Sequence, residues 1–338
     1  MKRHFGNLPT GVPVYEYTIS NKHGLKLSAI NHGGIITALY VPFKTGETNV
    51  VLHFRNLEDY LPNKAYIGAI IGRFANRIDL GLFKYNNVAY KLLCNAGVNH
   101  LHGGVKGFDQ QFWSINVVHY KNNPALELNY ISLEDEEGYP GEISVKVLYV
   151  LDDLSLRVIY HAQTTAPTPI SLTQHSYFNL SGDFNQTVLD HQIKINASEF
   201  APINELQIPL GFLQHVQDTP FDLRHSAFLS DILRSDDPQL KIAKGLDHSW
   251  KTQNNLQIPL VEVLHEKYKR GLTIYTTQPA VHVYTGNFLP EVGLLKHAAF
   301  CLETQHFPDS VNKTMLGNPF LQPGDIYSHE TIFSFFNC

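Results

Sequence analysis

Alternation of apolar and polar residues with period two runs through this chain, at Val14–Ile19, Ala125–Ser132, Ile143–Val150, Leu154–Ala162, His191–Ala197, Leu272–Thr277 and Thr331–Phe336. Side chains that alternate in this way put one face of a pleated strand on a core, and Gly, Asn, Asp or Pro bounds each run. Asp152-Asp153 reads as a tight hairpin connection between two of the runs, and Gly138-Tyr139-Pro140-Gly141 as another just before them. Strands in such close succession, with few short helices among them, predict an all-β chain folded as a large antiparallel β-sandwich or barrel rather than βαβ units. Helical periodicity is confined to Ser226–Arg234, which places Phe228, Leu229, Ile232 and Leu233 on one side and offers Asp222 or Ser226 as its cap.

With 338 residues, 43% of them hydrophobic, the chain can bury a large core. No repeat or long linker divides it, so residues 1–338 are expected to form one domain. Aromatic residues at 12%, against 17% charged, suit sheet faces that pack or stack on a ligand. The net charge of -5 leaves no basic face for nucleic acid or anionic lipid, and no apolar run is long enough to span a bilayer. Neither nucleic acid nor membrane is expected as a partner. Cys94, Cys301 and Cys338 are odd in number and far apart, which implies no disulfide framework and fits the cytoplasm. The basic start Lys2-Arg3 is followed by no apolar segment, so it does not read as a signal peptide; a leader already removed would place the protein in the periplasm instead.

The chemistry-bearing residues stand out against this β background. In Cys301-Leu302-Glu303-Thr304-Gln305-His306-Phe307-Pro308 a carboxylate emerges from an apolar stretch at the edge of a Pro-marked loop, and a Glu so placed needs partners or a task. Ser171–Leu180 carries His175 among hydroxyl and amide neighbours, which suggests a pocket wall, although a lone His in a strand is often only a satisfied core residue. His100-Leu101-His102-Gly103-Gly104 is an H-x-H pair that on a strand would turn both imidazoles to one face, as a metal site requires. No third ligand follows at suitable spacing, so no metal is expected. The paired glycines instead suggest a loop approaching a ligand, with His102 as donor or acid and His100 structural. In Gly72-Arg73-Phe74-Ala75-Asn76-Arg77 there is no G-x-G-x-x-G and no following helix, which argues against a dinucleotide and for an Arg and amide grip on hydroxyls or a carboxylate. Arg77 reads as functional; Arg73 reads equally as functional or as the partner of a structural acid. Asp247, in Gly245-Leu246-Asp247-His248, fits either a site or a turn.

Taken together, Gly72–Ile78 (GRFANRI), Leu101–Phe108 (LHGGVKGF), Thr173–Leu180 (TQHSYFNL), Gly245–His248 (GLDH), Thr276–Asn287 (TTQPAVHVYTGN) and Leu302–Asn312 (LETQHFPDSVN) resemble, in order, the motifs of the aldose 1-epimerase or galactose mutarotase family. The resemblance implies a β-sandwich of the galactose mutarotase type that acts on free monosaccharides without cofactor or metal, as a monomer or homodimer. It implies that Glu303 is the general base, His175 the general acid and His102 the second active-site histidine. Asn76, Arg77, Asp247 and Gln278 fall on sugar-binding positions, and Ser176 and Tyr177 lie in the same pocket wall. The chain departs from the pattern at Gln174, where Asn is usual, at His282, where Gln is common, and at His306-Phe307, where Asn-Trp is frequent.

The chemistry so implied is proton removal from O1 of a pyranose while O5 gains a proton, each transfer contributing roughly 10²- to 10⁴-fold. A carboxylate close to the imidazole is expected to raise its pKa and keep His175 protonated near neutrality. Three rivals compete with this reading. A hexose-6-phosphate 1-epimerase of related fold needs a phosphate grip, for which Arg73 and Lys106 are the candidates. A non-catalytic carbohydrate-binding protein has no use for a matched acid and base. A metal hydrolase would use His100, His102 and Glu303.

Overall fold

The computed structural model describes residues 1–61 and 63–338. Strands take 44% of the residues and helices 11%, so the all-β expectation holds. The strands pair antiparallel in three main sheets. The largest has nine strands in the order Ser114–Tyr120, Asn123–Ser132, Ile143–Asp152, Ser155–Thr164, Tyr327–Asn337, Arg270–Thr276, Val261–His265, Gln192–Ile195 and Ala227–Phe228. A six-stranded sheet runs Tyr177–Phe178, Phe300–Gln305, Ala280–Tyr284, Asp247–Lys251, Glu199–Ala201 and Gln214–His215. The first fifty residues form a five-stranded meander of Lys2–Asn7, Pro13–Ser20, Lys26–Ile30, Ile36–Phe43 and Gly46–Asn49.

One buried cluster joins the sheets. Leu126, Val147, Val158 and Phe333 of the nine-stranded sheet meet Val281, Val283, Phe300 and Leu302 of the six-stranded sheet and Leu27 and Leu39 of the meander. Phe178 and Phe333 pack with ring centroids 5.3 Å apart. Each such side chain removed from water stabilises the fold by about 1.5–3 kcal/mol.

Each period-two run contains a strand, but three local expectations fail. Asp152 pairs with Ser155, leaving a tight turn as expected, with Asp153 in the left-handed region at φ 50°. Gly138–Gly141 is no tight hairpin: it belongs to a longer connection, residues 133–142, whose Pro140 and Gly141 carbonyls accept hydrogen bonds from the Arg73 guanidinium at 2.9 and 2.8 Å. The expected helix is only Leu229–Leu233, because Ala227–Phe228 adds a strand to the large sheet. Neither proposed cap serves it: Asp222 binds Arg224, and Ser226 donates to Gln192. A second helix, Pro238–Ala243, begins at Asp237, whose carboxylate accepts from the Gln239 N–H, a Pro-marked start that the sequence displays.

Candidate active site

Alternation along three neighbouring strands of the six-stranded sheet sorts their side chains between core and site. Trp250, Val281, Val283, Phe300 and Leu302 point into the sandwich core. Their neighbours Asp247, Ser249, His282, Tyr284, Cys301 and Glu303 therefore share the opposite face. Register aligns them in rows: Ser249 lies opposite His282 and His282 opposite Glu303, while Asp247 lies opposite Tyr284 and Tyr284 opposite Cys301. Tyr177, opposite Cys301 on the next strand, completes the second row.

Above this face is a cavity of about 390 Å³, lined by Glu303, His175, Tyr177, Asp247 and Tyr284, by Asn76, Arg77, Leu101 and His102, and at its mouth by Lys64, Gln207, Phe288 and Glu291. The expected catalytic residues thus converge, as do Asn76, Arg77, Tyr177 and Asp247. Ser176 and Gln278 are not among the lining residues. Gln278 donates instead to the Leu172 carbonyl and the Tyr327 hydroxyl at 3.1 and 2.9 Å, so its amide is a strut between strands. Sequence reasoning missed Tyr66, whose ring packs at a tilt against that of His102 with centroids 4.5 Å apart, and Gln207, whose amide oxygen accepts from the Arg77 guanidinium. Loop residues carry no periodic signature, so no pattern marked either.

Glu303 Oε1 lies 3.6 Å from His175 Nε2. The other carboxylate oxygen is buried and has no hydrogen-bond partner among the described residues. Backbone bonds on both sides hold His175: its N–H donates to the Ala69 carbonyl at 2.9 Å, and its carbonyl accepts from Gly68 at 3.0 Å. Its Nδ1 meets the Cys301 thiol at 3.5 Å rather than a carboxylate or carbonyl. Burial pulls this imidazole down to about 4. Burial, with the Asp247 charge, pushes Glu303 well above the usual carboxylate range, Arg77 offsetting only part of it. The expectation of a protonated His175 is thus corrected: desolvation outweighs the neighbouring carboxylate, and the proton the pair shares rests on Glu303 while the cavity holds no substrate.

His102 is pinned rather than adaptable. Its N–H donates to the Asn76 carbonyl at 3.0 Å, and the Asn76 N–H donates back to His102 Nδ1 at 3.2 Å. With Nδ1 acting as acceptor, the neutral ring carries its proton on Nε2 and presents a donor. Gly103, at φ 88°, leaves no room for a Cβ, which would sit 1.8 Å from the Gly72 carbonyl oxygen. Gly103 thus serves close backbone packing, and Gly104 makes room for the Glu137 side chain, rather than approach to a ligand. His100 turns away from the cavity: its Nδ1 meets the Leu93 carbonyl and its Nε2 the Tyr139 hydroxyl, each at 2.6 Å.

His102, His175 and Glu303 lie close enough to surround one ion, yet the residues do not fit a metal. Ligation through His102 Nε2 would leave Nδ1 still accepting an amide proton, which makes the ring an imidazolate. Arg73 is a buried strut whose guanidinium also donates to Ser132 Oγ at 2.6 Å and to the Leu133 carbonyl at 3.0 Å. Neither it nor Lys106 reaches the cavity lining.

Burial also pulls His32 and His100 down to about 4, and His248 and His306 to about 3. In the unfolded chain these imidazoles, like that of His175, titrate near 6.5, so below that pH the unfolded state binds more protons than the folded one. The resulting stability is complete above about 6.5 and is lost as pH falls toward 4, each group contributing up to about 1.4 kcal/mol per pH unit. Burial-raised carboxyls at Glu303, Asp109 and Asp309 act in the opposite sense but are outnumbered by the imidazoles, so thermal unfolding followed by circular dichroism should give a Tm that falls between pH 7 and pH 5. A Tm unchanged across that interval would show that these rings are protonated in the fold.

A family model described as Aldose 1-epimerase matches residues 15–334. Galactose mutarotase of Bos taurus is 42% identical over 340 residues, 98% of this chain and 97% of that protein. Aldose 1-epimerase of Escherichia coli K12 is 33% identical, covering 97% and 96%. Among solved structures, galactose 1-epimerase from Lactobacillus acidophilus superposes with a TM-score of 0.89 at 25% identity, covering 100% of this chain and 98% of that one. An aldose epimerase homologue from C. elegans gives 0.85 at 26%, covering 95% and 98%.

Proposed function

Because the chain belongs to the aldose 1-epimerase family, it is an isomerase that interconverts α and β anomers of aldohexoses, and we propose that Glu303 and His175 carry the two proton transfers of its reaction. The observation that supports this reading is the buried, unpartnered Glu303 carboxylate beside His175 Nε2 at the floor of a sugar-sized cavity. O1 and O5 of a pyranose are bonded to the same carbon, so the groups that serve them must themselves be neighbours.

Glu303 takes the O1 proton as the C1–O5 bond breaks, and His175 gives its Nε2 proton to O5. The open aldehyde turns about C1–C2 and closes on its other face, while O1 regains a proton from Glu303 and O5 returns one to His175. The bonds balance and nothing is consumed. While the sugar is open, Glu303 is protonated and His175 neutral, which is the distribution burial favours. Burial favours the same distribution before the ring opens, so the proton must first pass from Glu303 to His175 in the sugar complex, and Glu303 regains one from O1 as the C1–O5 bond breaks. His102, neutral, donates from Nε2 without competing for the proton. Arg77, Asn76 and Asp247 hold the remaining hydroxyls so that only the C1 end moves.

The fold and cavity belong to one chain, and residues 1–338 serve as a single unit in this reading. Optical rotation of fresh α-D-galactose and α-D-glucose should relax faster with the protein than in buffer, with no cofactor added. Relaxation at the buffer rate with abundant protein would remove the reading.

A further inference from the structure

His282 does not line the cavity, yet it is buried on the site face, opposite Glu303 in register. Its Nε2 lies 2.5 Å from Asp247 Oδ1 and its Nδ1 2.8 Å from Ser249 Oγ. A carboxylate only accepts, so Nε2 donates to it, while Nδ1 and the Ser249 hydroxyl share a hydrogen bond on the other side of the ring. Asp247 Oδ2 is left on the cavity side, 4.0 Å from Arg77 Nη1. One oxygen of the carboxylate is thus tied from behind and the other is free to accept from a sugar.

We propose that His282 is a positioning residue for epimerisation, fixing the Asp247 carboxylate in the orientation that receives the substrate's hydroxyls. The inference rests on the sugar-holding role given above to Asp247. Without the bond from behind, the carboxylate is free to turn its outer oxygen toward the Arg77 guanidinium and away from the sugar. The cost then appears in ground-state binding, because Asp247 touches hydroxyls that do not change charge during the reaction. Ser249 contributes by holding the ring from its other nitrogen.

The test compares His282→Phe, which cannot donate, with His282→Gln, whose amide supplies one N–H to the same oxygen. Galactose affinity is measured by calorimetry and turnover by polarimetry on each. His282→Phe should weaken galactose binding about tenfold or more, as expected for losing a hydrogen bond to a charged group. Its KM should rise in step while kcat stays within a few-fold, and His282→Gln should restore most of the affinity. Combined with Asp247→Asn, His282→Phe should add little further loss, since it acts through Asp247. Unchanged affinity in His282→Phe, or full additivity in the pair, overturns the inference. Affinity is read without turnover, so wild-type protein that binds galactose but leaves rotation at the buffer rate would defeat the proposed reaction and leave this role standing.

Discussion

A Glu303→Gln variant loses kcat by about 10²- to 10⁴-fold, the range expected when a proton-transfer group is removed from the transition state, while its affinity for galactose changes by no more than a few-fold. The amide keeps the shape of the carboxylate and can still touch O1, but it cannot take a proton. The loss falls on kcat because the group's task exists only as the ring opens. Burial sharpens the effect: Glu303 Oε2 has no partner in the fold, and no other carboxylate lies as near His175 Nε2 among the described residues. Polarimetry for kcat and calorimetry for affinity read the two halves separately. Near-normal turnover in this variant would place the base elsewhere.

The second large effect separates the two histidines. His175→Asn should lower kcat by roughly two orders of magnitude or more, as for loss of a general acid, whereas His102→Asn should lose less in kcat and show part of its defect in KM. His102 Nδ1 already accepts the Asn76 N–H, so a second proton on that ring would break a buried bond. His175 faces only a soft thiol at Nδ1 and can be protonated without such a loss. Asn suits position 102 as a probe, because φ there is 52° and Asn tolerates the left-handed region. A larger kcat loss at His102 than at His175 would transfer the acid role. The pH profile adds a second readout, since the pair must carry one proton between its members. The acid limb should fall near the His175 value of about 4, and the alkaline limb should lie well above the usual carboxylate range, where Glu303 releases the shared proton.

Alternation made the large sheets legible, and it made Glu303 legible as a carboxylate whose neighbours Cys301 and Leu302 divide between site and core. The meander was mostly hidden: Ile36–Phe43 is buried on nearly every side chain and shows no period of two. Gln278 was misplaced because an amide two residues from a strand end gives no sign of the direction it faces, and here it faces Leu172. Tyr66 and Gln207 enter the wall from turns, where sequence carries no orientation. The protonation of His175 was expected from its carboxylate neighbour alone. What decides it is burial by Tyr66, Tyr177 and His102, whose rings surround it at 6.0, 5.0 and 5.2 Å, and of these Tyr66 and His102 come from distant parts of the chain.

Strand Tyr327–Asn337 lies inside the nine-stranded sheet, bonded to Ser155–Thr164 on one side and Arg270–Thr276 on the other. Its two neighbours meet only through it. Until this segment pairs, the folding chain carries two open strand edges, each able to pair with another molecule. Contacts such as Ser155 with Ser334 also require large loops to close before any packing rewards them, which makes folding slow. The large sheet is therefore most exposed to misassociation in the interval before residues 327–337 pair between their two neighbours.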